Sequence, residues 1–115
     1  MTDFQIYSEG KKVSTIRMGR YQSAAIFQTE FWKDVDQIAY TWIDEDDNEY
    51  PIEVISLADD LQRWKLIEGL LVCMLGLGRS TLVKDSAPIK PREFSGLMEL
   101  FESLSNMNVD GIRVG

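Results

Sequence analysis

The apolar positions of this chain change period several times, and each change marks a new element. FQIY (4–7) and KVSTIRM (12–18) flank SEGK. In the second run Ser14, Ile16 and Met18 share one side, and Val13, Thr15 and Arg17 share the other. That alternation predicts two strands, with Gly10 supplying the positive φ of a tight hairpin. Gly19 then interrupts the run. In YQSAAIF (21–27), Tyr21, Ser23, Ala25 and Phe27 alternate onto one side, which predicts a third strand.

Residues 29–43, TEFWKDVDQIAYTWI, fit two periods at once. Phe31, Val35, Ile38 and Trp42 lie at helical spacing, with Thr29 in position to cap the start. Ile38, Tyr40 and Trp42 also form one side of a strand. The segment IAYTWI is rich in aromatic and β-branched residues, and PIEVISL (51–57) offers it a partner. The favoured reading is a helical turn near 29–35 followed by a hairpin from about 37–43 to 50–57, with Pro51 at a strand start.

Helical spacing then becomes continuous. Ser56, with Asp59 three residues on, resembles a capping box ahead of LADDLQRWKLIEGLLVCML. Leu57, Leu61, Trp64, Ile67, Leu71 and Met74 mark one side of a helix over about 57–76. Its later half is apolar all round, which predicts burial on most sides. Gly76 and Gly78 are read as the stop. Residues 80–91 read as a connection with a short strand at Leu82–Val83, extended where Pro88 and Pro91 bracket Ile89 and Lys90. A second helix over about 91–105 presents Phe94, Leu97, Met98, Phe101 and Leu104. The tail carries an Asp110–Gly111 turn signal and a final strand. Strands first and helices after predict one α+β domain, an antiparallel sheet packed against two C-terminal helices.

Composition narrows the chemistry more than the fold. The chain of 115 residues contains no histidine and one cysteine, Cys73. This removes His-based nucleophile activation, imidazole metal ligation and internal disulfides, and it favours a reducing, cytoplasmic setting. The N-terminus, MTDFQIYSEGKK, lacks the apolar run of a secretory signal. Cys73 lies between Val72 and Met74 and reads as a buried structural thiol.

Charge, by contrast, is concentrated. Residues 30–60 hold eleven acids against the single base Lys33, a balance of −10, while the remainder carries eight acids and eleven bases within the net −7. The densest part is TWIDEDDNEYP (41–51). Taken as a calcium loop from Asp44, it places Glu49 where the turn needs glycine and Ile55 where a bidentate glutamate closes the shell, so no metal site is expected. Adjacent carboxylates in one hydrated turn also lack the unequal environments that acid–base pairs require. The run GLGRST (76–81) does not have phosphate-loop spacing. Glu68, Arg63 and Lys65 are the remaining candidates for a small ligand-binding or enzymatic pocket.

The favoured expectation is a non-enzymatic acidic interaction protein of the inhibitor or immunity type. It would need no cofactor and would bind a basic protein, for example a nuclease toxin, rather than nucleic acid or a membrane. The expected contact residues are Asp44, Glu45, Asp46, Asp47 and Glu49, with Trp42 and Tyr50 as aromatic anchors. A merely solvated turn is the plainer reading of the same residues. A chaperone or assembly adaptor with an apolar groove is the alternative function.

Overall fold

Alternating burial in the first two strands sets the faces of the sheet. Strand β1 (Thr2–Ser8) pairs antiparallel with β2 (Lys11–Met18), placing Phe4 opposite Ile16 and Thr2 opposite Met18. Phe4, Ile6, Ile16 and Met18 are all buried in the core. The computed structural model describes residues 2–33, 35–84 and 91–115.

Residues 20–27 correct the expected third strand. They form helix α1 (Arg20–Phe27), with Gly19 in extended backbone at its N-cap. Alanines favour a helix intrinsically, and the buried residues Ser23 and Ile26 are three apart, a helical rather than an alternating spacing. The Ser23 hydroxyl lies 3.1 Å from the carbonyls of both Gly19 and Arg20. The short helix α2 (Glu30–Lys33) follows where the helical turn was expected. Thr29 does not cap it with its side chain, because that hydroxyl donates back to the Ile26 carbonyl at 2.8 Å.

The second hairpin forms as expected from β3 (Gln37–Ile43) and β4 (Glu49–Ser56). The last strand, β5 (Gly111–Val114), inserts between the two hairpins, giving the antiparallel order β2-β1-β5-β4-β3. Only Ile55 and Ser56 of β4 pair with β5, so the rest of the β3–β4 hairpin extends past it. Pro51, opposite Thr41, lies in that overhang, where its missing N–H costs no ladder bond. The Ile43 N–H donates to the Gly10 carbonyl at 2.8 Å, so the sheet curls until its outermost strand meets the first turn.

Helix α3 (Asp60–Lys84) is longer than expected and starts differently. Asp59, not Ser56, is the cap: its carboxylate accepts the Leu61 N–H at 3.0 Å. Gly76 and Gly78 do not stop the helix, and Leu82–Val83 belong to it rather than to a strand. Glycine costs about 1 kcal/mol relative to alanine inside a helix, less than forfeiting the backbone bonds of two further turns.

The buried side of α3 also differs. Leu66, Ile67, Leu70 and Cys73 face the core, while Leu61, Trp64 and Leu71 are 63, 66 and 47% exposed. Two contacts fix this rotation. Trp32 donates its indole N–H to the Leu66 carbonyl at 2.9 Å. Gly69 lets α2 approach, since a Cβ there would stand 2.8 Å from Trp32 Cδ1.

Helix α4 (Pro91–Ser105) buries Leu97, Leu100 and Leu104, leaves Met98 exposed and keeps Phe101 partly covered against the core. The Phe94 side chain and the connection through Pro88, Ile89 and Lys90 lie outside the described residues. The Asp110–Gly111 pair is not a turn; the chain turns at Met107–Asn108, and Gly111 opens β5. No helix among the described residues is long and apolar enough to cross a membrane.

Candidate functional site

The acidic stretch becomes the tip of the β3–β4 hairpin, and one of its carboxylates builds the turn. Asp44 donates its N–H to the Asn48 carbonyl at 3.0 Å, and its own carbonyl accepts the Asp47 N–H at 3.1 Å. Asp44 Oδ1 accepts the N–H groups of Asp46 and Asn48, both at 2.9 Å. Asp47 takes the left-handed conformation, φ 62°, that closes a three-residue hairpin loop; Asp tolerates it better than most side chains. The N–H donors, that of Asn48 foremost, hold the Asp44 carboxyl below its ordinary pKa.

Glu45, Asp46, Asp47 and Glu49 are left exposed on the tip. Beneath them Trp42 and Tyr50 stand directly opposite on the two strands, ring centroids 5.3 Å apart. Such a cross-strand aromatic pair ties the strands together close to the tip. Trp42 is half-buried and Tyr50 is 42% exposed, so the pair also offers apolar surface beside the charges. The fold thus brings all seven expected contact residues together, but it spends Asp44 on the turn itself.

One neighbour of the tip was not anticipated. The β1–β2 turn arrives beside it, and Lys11 and Lys12 line a 460 Å³ groove together with Trp42, Ile43, Asp44, Glu45 and Asp46. The groove is therefore mixed in charge, and Asp47 and Glu49 are outside its lining.

Below the tip, a polar cluster joins the two hairpins. Tyr40 donates its hydroxyl to Asp110 Oδ1 at 2.7 Å and accepts the Gly10 N–H at 2.7 Å. Asp110 Oδ2 accepts the Glu9 N–H at 3.2 Å, and the Asp110 backbone bonds Tyr7 and Leu57 at 3.0 and 2.9 Å. Burial first, and then the hydrogen bond to Asp110, push the Tyr40 phenol from its ordinary 10.0 up to about 12. The Tyr7 ring packs 5.7 Å from that of Tyr40. Gly111 allows close approach here, since a Cβ would stand 3.0 Å from Val54 Cγ2.

The other candidate residues have structural or solvent roles. Arg63 is 4% exposed, and its guanidinium donates to the carbonyls of Leu57, Leu104, Asn106 and Val109. Two of these acceptors lie at the C-terminal end of α4, where a cation also meets the negative end of the helix dipole. Glu68 and Lys65 are exposed on α3. Cys73 is buried, and burial pushes its thiol pKa up. Trp64, expected in the core, is exposed. No group of three or more potential metal ligands converges among the described residues. The chain matches no protein-family model, no curated protein and no solved structure.

Proposed function

We propose that this chain is a non-enzymatic interaction protein that binds a basic protein partner through the tip of the β3–β4 hairpin, in the manner of an inhibitor or immunity protein. The supporting observation is the Asp44 turn. By satisfying the N–H groups of Asp46 and Asn48, Asp44 fixes a loop from which Glu45, Asp46, Asp47 and Glu49 project into solvent. A preformed tip loses little conformational freedom on binding. Its charge also raises the encounter rate with a positive cleft such as that of a nuclease. The same charge disfavours nucleic acid and anionic membranes as partners.

The test is affinity capture from native lysate at low ionic strength, followed by a high-salt wash. A basic protein retained at low salt and released by the wash supports the reading. Retention that ignores salt contradicts it and favours the adaptor alternative, whose basis is the uncovered apolar side of α3.

A further inference from the structure

Helix α3 is apolar on two sides, and the core uses one of them. On the other, Leu61, Trp64, Leu71, Val72 and Leu75 are 63, 66, 47, 56 and 63% exposed. Their spacing places all five on one stripe along the helix. Side chains of this size leave bare on the order of 500 Å² of apolar surface, comparable with the largest patches that monomers expose, which are often functional.

At one edge of the stripe Val72 lines a 420 Å³ groove with Ala25, Thr29 and Phe31. Leu61, Trp64, Leu71 and Leu75 stand out from the helix, and their natural complement is the ridge of another helix. The exposed Glu68 interrupts the stripe near the middle, and the exposed Lys65 borders it, lining a groove with Glu30 and Asp36 of its own chain. In a parallel pair of such helices, like charges would stand opposite each other. In an antiparallel pair with the two-fold axis beside residues 66 and 67, Lys65 of each copy faces Glu68 of the other, and Leu61 faces Val72. The stripe is therefore complementary to itself under two-fold symmetry, and opposed helix dipoles add to the attraction. Two such patches bury at most about 1,000 Å² together, at the threshold where a specific interface becomes credible.

We propose that the outer side of α3 is a homodimer seam, two copies packing antiparallel with Lys65 against Glu68. The seam uses no residue of the hairpin tip and stands independently of the function proposed above.

Sedimentation velocity across a concentration series tests it, using the wild-type chain, Trp64→Glu, Lys65→Glu, Glu68→Lys and the double charge swap. The wild type is expected to dimerise more tightly as salt rises, because two chains of net charge −7 repel at low ionic strength. Trp64→Glu should be monomeric with an unchanged circular dichroism spectrum, since the residue lies outside the core. Each single charge change should weaken the dimer roughly three- to tenfold, and the double swap should restore it. A wild-type chain that stays monomeric at every soluble concentration overturns the proposal. So does a dimer indifferent to Trp64→Glu, or a double swap as weak as its parents. A different protein held through Trp64 by a chain that does not self-associate would assign the ridge to that partner and also overturn it.

Discussion

Tyr40 and Asp110 are 70 residues apart in sequence, and their side chains meet at 2.7 Å between the two hairpins. The same phenol oxygen accepts the Gly10 N–H, so one side chain links β3, the β1–β2 turn and the start of β5. Tyr40→Phe deletes the shared hydroxyl and leaves Asp110 Oδ1 and the Gly10 N–H without it. Urea unfolding should show a loss of about 1–3 kcal/mol.

The cluster also sets an alkaline limit on stability. The phenol pKa rises from 10.0 to about 12 on folding, so the folded state holds this proton more tightly than the unfolded chain. The resulting stabilisation is fully present below pH 10 and is lost as pH climbs through about 12. Denaturant midpoints across that range should fall more steeply for the wild type than for Tyr40→Phe. Equal slopes would separate the phenol from the effect.

Arg63 satisfies four carbonyls from the α3 approach, the end of α4 and the segment before β5. Arg63→Met keeps the stem and removes every donor. The expected cost is about 3 kcal/mol or more, read as a lower urea midpoint. Arg63→Lys should rescue little, because an ammonium cannot reach four acceptors in the guanidinium's planar fork. Full rescue by lysine would show that charge alone matters here.

The sequence made the local features readable and obscured those that depend on distant residues. The two hairpins follow from alternation and turn chemistry within 17 and 20 consecutive residues, and the contact residues expected at 42–50 do lie together. Helix α1 was hidden because Ser23, Ala24 and Ala25 are small and satisfy two periods at once. The rotation of α3 was hidden because its apolar residues encircle it; the contacts that fix that rotation, at the Leu66 carbonyl and at Gly69, are both made by the distant Trp32. The Asp110–Gly111 pair carries an ordinary turn signal, and nothing near it in sequence announces that it anchors Tyr40 and Glu9. Counting charge located the acidic tip, but it could not show that Asp44 faces its own turn.

Asp44 therefore differs from the acids around it. Its carboxyl pKa is lowered on folding, so the turn's stabilisation is present above the ordinary value of 3.8 and is lost as pH falls through the lower, folded value. Asp44→Asn retains an acceptor oxygen and should keep the turn, whereas Asp44→Ala should speed amide hydrogen exchange at Asp46 and Asn48. Protection of those amides unchanged in the alanine variant would remove the side chain from the turn's construction.

In the function proposed above, the outward carboxylates steer a basic partner onto this tip. The direct measurement is the association rate constant of the captured partner, followed by stopped flow at low salt. It compares the wild type with a variant carrying Glu45→Gln, Asp46→Asn, Asp47→Asn and Glu49→Gln, in which Asp44 keeps the turn. The expected result is a folded variant whose association is slower by about tenfold or more, with the gap closing as salt is added. An association rate at low salt equal to that of the wild type would show that these four carboxylates do not steer the partner.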